Sequence, residues 1–101
     1  MRLVITKRGQ KRIASNREYL EDNFYPEYGR WFEDKILTTI KRLPANPPLG
    51  REAFPEINRP EIRKILCDHY NYWIFYRIKK AVIEILSVRH CLMRIDTPRK
   101  L

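Results

Sequence analysis

Apolar residues recur along this chain with two different periods, and the change from one to the other divides it. Arg2 to Thr6 contains a short run of strand-forming residues, Leu3, Val4 and Ile5, after which Thr6 is placed to cap a helix beginning in the basic segment Lys7 to Arg12. Ile13, Leu20 and Phe24 follow at spacings of seven and four, one helical face, although Asn16 and Arg17 stand in the middle of that stripe. Pro26 suits the first turn of a second helix. There Phe32, Ile36, Ile40 and Leu43 keep the helical period with Trp31 and Leu37 alongside. Between Pro44 and Pro60 the chain holds five prolines and Gly50, which interrupt both helix and ladder, so an ordered connecting loop is predicted. Three β-type runs come next: Glu61 to Cys67, Tyr72 to Ile78 and Ala81 to Arg89, with Lys79 and Lys80 as a hairpin-length connection between the last two.

This order predicts an α+β fold: an N-terminal strand, a two-helix hairpin, then a three-stranded antiparallel meander completing a small sheet. Residues 1–95 are expected to form one domain and 96–101 a polar, frayed C-terminal tail. In Tyr72 to Ile78 both parities are apolar or aromatic, so neither face of the sheet is simply wet. The face away from the helices is either a partner surface or covered by the long loop. There are no internal repeats.

Length and composition narrow the picture. A chain of 101 residues, 44% of them hydrophobic and 12% aromatic, has room for one packed core and enough apolar material to build it. The formal charge of +9 and pI near 9.9 create a positive field that attracts nucleic acid, acidic protein segments or anionic lipid alike. Cys67 and Cys91 are the two cysteines, with 23 residues between them and without metal-type spacing, so neither zinc nor another cofactor is expected. Leu3 to Ile5 is too short for a signal peptide, and no stretch approaches the roughly 18 apolar residues of a membrane span. The expectation is a soluble protein of the reducing cytoplasm that does not enter membranes.

Four segments in order give the chain a resemblance to the ParE/RelE superfamily, toxins of bacterial type II toxin–antitoxin systems, from about Leu3 to Arg94. The second helix and the Pro-rich loop ending in Leu49, Gly50 and Arg51 resemble the family's apolar-Gly-Arg pattern. Glu61 to Leu66 resembles its first meander strand, with Arg63 on the characteristic arginine. Tyr72 to Arg77 resembles its Tyr-Arg-Ile-apolar-Tyr-Arg strand, and Ile83 to His90 its last strand, which ends in His-Gly-Arg-Arg. There are departures. Trp73 replaces an arginine, Cys91, Leu92 and Met93 replace the terminal basic run, and no tyrosine follows Tyr76.

The resemblance implies a growth-inhibiting toxin held by a cognate acidic antitoxin, touching operator DNA only through the antitoxin complex. Two modes of poisoning follow from it. A ParE-like toxin would bind DNA gyrase, and the missing ribonuclease residues favour that mode. A RelE-like toxin would cleave mRNA on the ribosome, with His90, Arg63 and Arg89 as the catalytic candidates and Glu56 as a further base on the loop. That chemistry needs a base, an acid and cations around one phosphate. The bland alternatives are a strand-end histidine that is structural and a sheet arginine that pairs only with Glu61 or Glu84. Candidate binding residues are Lys64, Trp73 and Arg77 on the sheet and Arg8, Lys11 and Arg12 on the first helix. A stand-alone nucleic-acid-binding domain is the third reading, and the chain lacks the signatures of the common modules of that kind.

Overall fold

The computed structural model describes residues 1–67, 71–93, 95 and 98–101, excepting the Lys100 side chain. Strand β1 (Arg2–Ile5) leads into helices α1 (Lys7–Asn23) and α2 (Pro26–Ile40). Strands β2 (Arg51–Glu52), β3 (Ile62–Cys67), β4 (Tyr72–Lys79) and β5 (Val82–His90) follow. They form a mixed sheet of order β1-β5-β4-β3-β2, in which β1 lies parallel to β5 and every other pairing is antiparallel. The α+β prediction holds, with the expected meander as β3-β4-β5.

Thr6 caps α1 as its sequence position suggests, accepting the Gly9 amide at 3.0 Å while its own hydroxyl donates to the Ile85 carbonyl at 2.7 Å. Gly9 is needed there: a Cβ would sit 2.6 Å from that same carbonyl oxygen. Strand β1 pairs with β5 only from Val82 to Ile85. Beyond it α1 shields the open edge, and Asn16, the polar residue in the middle of the apolar stripe, donates to the Val88 carbonyl at 3.1 Å. Its neighbour Arg17 reaches across to Glu33 on α2 and also pairs with Glu21. Phe24 departs from expectation. It caps the end of α1 with non-helical φ/ψ, falls out of helical phase, and is 57% exposed instead of sharing the buried face of Ile13.

Helix α2 buries Gly29, Phe32, Ile36, Thr39 and Ile40, the period read from its sequence. Of these, Phe32, Ile36 and Ile40 meet Tyr72, Ile74, Tyr76, Ile83, Ile85 and Val88 from the sheet in the principal core. A register shift lets Phe75 pair with Ser87 and Tyr76 with Ile85, leaving Leu86 as the extra residue of a β-bulge. The bulge resets the alternation, so that Leu86 joins the far side while Val88 returns to the helix side.

The loop is not free of ladder, as its prolines had implied. Arg51 and Glu52 pair with Lys64 and Arg63, because residues 50–54 carry no proline and keep their amides. The second face of the sheet is covered from within. Ala53 and Phe54 from the loop and Leu101 from the C-terminus pack on Ile62 and Phe75, with Trp73, Leu86 and Ile95 at the margin. Leu101 is 3% exposed, and residues Pro98–Lys100 form a short 3-10 turn, so the described part of the tail is docked rather than frayed. Residues 94, 96 and 97 lie outside the described set.

Candidate functional site

On the face away from the helices, neighbouring strands bring three predicted or motif residues together. Trp73 of β4 lies under Lys64 of β3, whose ammonium is 4.5 Å from the ring centroid, and under Arg51 of β2 at 5.0 Å. Burial, then the Arg51 guanidinium, holds the Lys64 amine below its ordinary value, while Cys91 and Glu56 pull the other way. Lys64 and Glu56 line the same open groove of about 650 Å³ with Arg51 and Phe54. Cys91 stands nearby as a free thiol, raised by burial and lowered by Lys64. The arrangement is a partly desolvated cationic surface with an aromatic floor, suited to an anionic group.

Arg89 lies on the same face but points into the molecule. Its guanidinium donates to Ser87 Oγ at 3.2 Å and to the Leu101 carbonyl at 3.1 Å. Its charge is disfavoured first by burial and then by Arg12 and Arg8. The basic side chains of α1 therefore lie within electrostatic reach of β5. Arg8 and Lys11 are exposed, whereas Arg12 is half-buried.

Arg63 and His90 sit on the opposite, helix-facing side, and apart from each other. Arg63 is paired with neither Glu61 nor Glu84. Its guanidinium donates to the Gly50 and Pro48 carbonyls, while its cross-strand neighbour Tyr76 donates to the Pro47 carbonyl at 2.8 Å and accepts the Gly50 amide at 2.8 Å. Together they clamp the Pro-rich loop. Glu61 pairs with Arg59 instead, and Glu84 with Arg77, another predicted binding residue. His90 stands edge-on to Tyr72 at 5.1 Å and accepts the Leu92 amide through Nδ1 at 3.1 Å, which puts the proton of the neutral ring on Nε2. His90 is opposite Tyr72 and Arg63 opposite Tyr76, four residues apart along β4. That is roughly 13 Å of strand. The three catalytic candidates thus occupy three places, and the described residues contain no cluster of acidic, His and Cys side chains able to hold a metal.

This geometry can be set beside known proteins. The family model of the ParE toxin of type II toxin-antitoxin systems, parDE, matches residues 3–95. The chain belongs to the ParE toxin family. It is the toxin component of a type II toxin–antitoxin system, and a cognate antitoxin is its partner. Its structure is similar to a chain of the chromosomal ParDE TA system from P. aeruginosa, with a TM-score of 0.75 and 19% identity over 89% of this chain and 95% of that one. At that identity the likeness is one of fold. No curated protein sequence matches it.

Sequence reasoning missed two features of this ParE toxin. Arg51 was visible only as part of the apolar-Gly-Arg pattern, and its place over Trp73 depends on the short strand β2. The second is a set of exposed aromatics where the two helices meet. Tyr19, Phe24, Tyr28 and Trp31 follow one another with ring centroids 5.5 to 6.4 Å apart, and Tyr25 joins Tyr28 at 5.6 Å. Their spacing around Pro26 was readable, but not which side of the hairpin they would occupy. Among the described residues no helix is long and apolar enough to cross a membrane.

Proposed function

We propose that this ParE toxin arrests growth in the cytoplasm by binding DNA gyrase and blocking its cycle, without cleaving RNA. The observation that supports the reading is the dispersal of His90, Arg63 and Arg89. RNA cleavage requires acid, base and cations around one phosphate, whereas Arg63 is engaged with the loop, Arg89 with the C-terminus, and His90 with the far end of the opposite face. A non-enzymatic poison needs only a complementary surface.

The antitoxin segment proposed to hold it is acidic and lies over Arg8, Lys11 and Arg12. Lys7 and Arg8 occupy the first turn of α1, the positive end of the helix dipole, where cations are disfavoured and no acidic residue offsets them. Carboxylates supplied by a partner would relieve that cost. In this reading, operator DNA is contacted through the toxin–antitoxin complex. The test is induction of the toxin with two readouts, gyrase-dependent supercoiling and mRNA 5′ ends on ribosomes, for wild type and for His90→Ala. Loss of supercoiling with intact mRNA in both is expected. Ribosome-dependent cleavage that disappears in His90→Ala would replace this reading with the RelE-like one.

A further inference from the structure

The molecule is electrically two-ended. Residues 18–34, the tip of the helical hairpin, hold six of the twelve acidic residues and one of the 21 basic ones, a net charge of −5 against +14 for the remainder. Glu21 and Asp22 lie in the last turn of α1, the negative end of the helix dipole, and that turn itself holds no basic residue. Helix stability alone would favour the opposite placement. One route to internal compensation is already in use, since Arg17 pairs with both Glu21 and Glu33.

The same tip carries the exposed aromatic row. Tyr25 is 66% and Trp31 50% exposed, and both rings stand against Tyr28 between them. Beside them is a recess of about 620 Å³ lined by Tyr19, Leu20, Phe24, Tyr72, His90 and Met93. A contiguous exposed aromatic patch on a monomeric surface marks an interaction site. Tyr and Trp are also the residues that most often dominate binding energy at protein interfaces.

We infer that the hairpin tip is a docking surface for a basic protein surface presenting Arg or Lys side chains among apolar ones, separate from the basic surface that receives the antitoxin. Charge complementarity identifies the occupant. Carboxylates and ring faces together attract guanidinium and ammonium groups, whereas a net negative tip repels phosphate backbones and anionic lipid headgroups. Two tips meeting about a two-fold axis would set like charges together. The inference rests on the toxin reading above and deepens it: the tip is where the toxin grips its protein target while the opposite, basic end remains available to the antitoxin.

The test uses the full chain with two surface variants, Tyr25→Ser combined with Trp31→Ser, and Glu27→Lys, each checked for native circular dichroism. Three quantities are measured: affinity for the cognate antitoxin, growth arrest on induction, and binding to purified gyrase. Both variants are expected to keep antitoxin affinity within about threefold and to lose growth arrest, with target binding weakened about tenfold or more. Full growth arrest by the folded variants would overturn the inference. So would a parallel loss of antitoxin affinity, which would make the tip part of the antitoxin surface. Self-association of the wild type that the double variant abolishes would replace the basic partner with a second copy and overturn the assignment. The two readings fail separately: growth arrest that depends on the tip without any gyrase binding would sink gyrase as target and leave the tip as docking surface.

Discussion

Tyr76 is fully buried, yet its hydroxyl has two partners, the Gly50 amide and the Pro47 carbonyl, and so one phenol ties β4 to the Pro-rich loop. Tyr76→Phe removes the hydroxyl and leaves a buried amide without its acceptor, a cost of about 1–3 kcal/mol. For a domain of this size that is a fall of roughly 5 to 15 °C in the unfolding midpoint, with the native circular dichroism retained below it. An unchanged midpoint would mean that the loop is held by Arg63 alone. Lys64 makes the converse case. Burial and Arg51 lower its proton affinity in the folded state below the unfolded value. The folded state therefore disfavours the charge, and its contribution to stability is least favourable at neutral pH and improves as pH rises toward the ordinary lysine range. Lys64→Met is expected to leave the neutral-pH midpoint unchanged or raise it. A lower midpoint would show that the contact with Trp73 outweighs desolvation.

At the scale of elements, two junctions set the fold. The β4–β5 turn places Lys80 at φ 49° and Ala81 at φ 63°, the twist that a two-residue hairpin needs, but with residues that have a Cβ and no special tolerance for it. Lys80→Asn with Ala81→Gly should stabilise the chain by about 1 kcal/mol, visible as a higher denaturation midpoint. At the start of α1 two effects oppose each other in Gly9→Ala. Helix propensity favours alanine by about 1 kcal/mol. The new methyl, however, would stand 2.6 Å from the Ile85 carbonyl oxygen, a backbone atom fixed by Thr6 and unable to yield. Overpacking of this kind costs about 1–3 kcal/mol, so a net loss of stability is expected in chemical denaturation.

For the whole molecule the governing feature is the distribution of charge. The +9 of the chain is the difference between a strongly basic body and an acidic hairpin tip. Arg8→Gln with Lys11→Gln removes two exposed cations from the unfavourable end of α1. The double variant should be at least as stable as the wild type, yet bind the antitoxin more weakly and with a shallower dependence on salt. Titrations at two ionic strengths measure both; identical affinity and slope would move the antitoxin elsewhere on the surface.

The sequence by itself determined the principal core and the main helices and strands, with the short strand β2 the exception. The helical spacing of Phe32, Ile36 and Ile40 and the β-type runs after Pro60 depend on local periodicity, which the chain carries wherever it folds. It also showed anomalies without their reasons: Asn16 inside an apolar stripe, and a strand with two apolar faces. Only the tertiary structure decided those. Asn16 satisfies a β5 carbonyl that β1 is too short to cover, and Phe54 and Leu101 close over the second sheet face. The candidate site was legible as a set of residue types but not as a place. Arg89 and His90 are consecutive on β5 and Arg63 lies on β3, with β4 between them, and strand alternation together with pairing register sends the three to different faces and ends of one sheet. Register and bulges are set by contacts between residues distant in sequence, and a one-residue shift is enough to exchange the two faces.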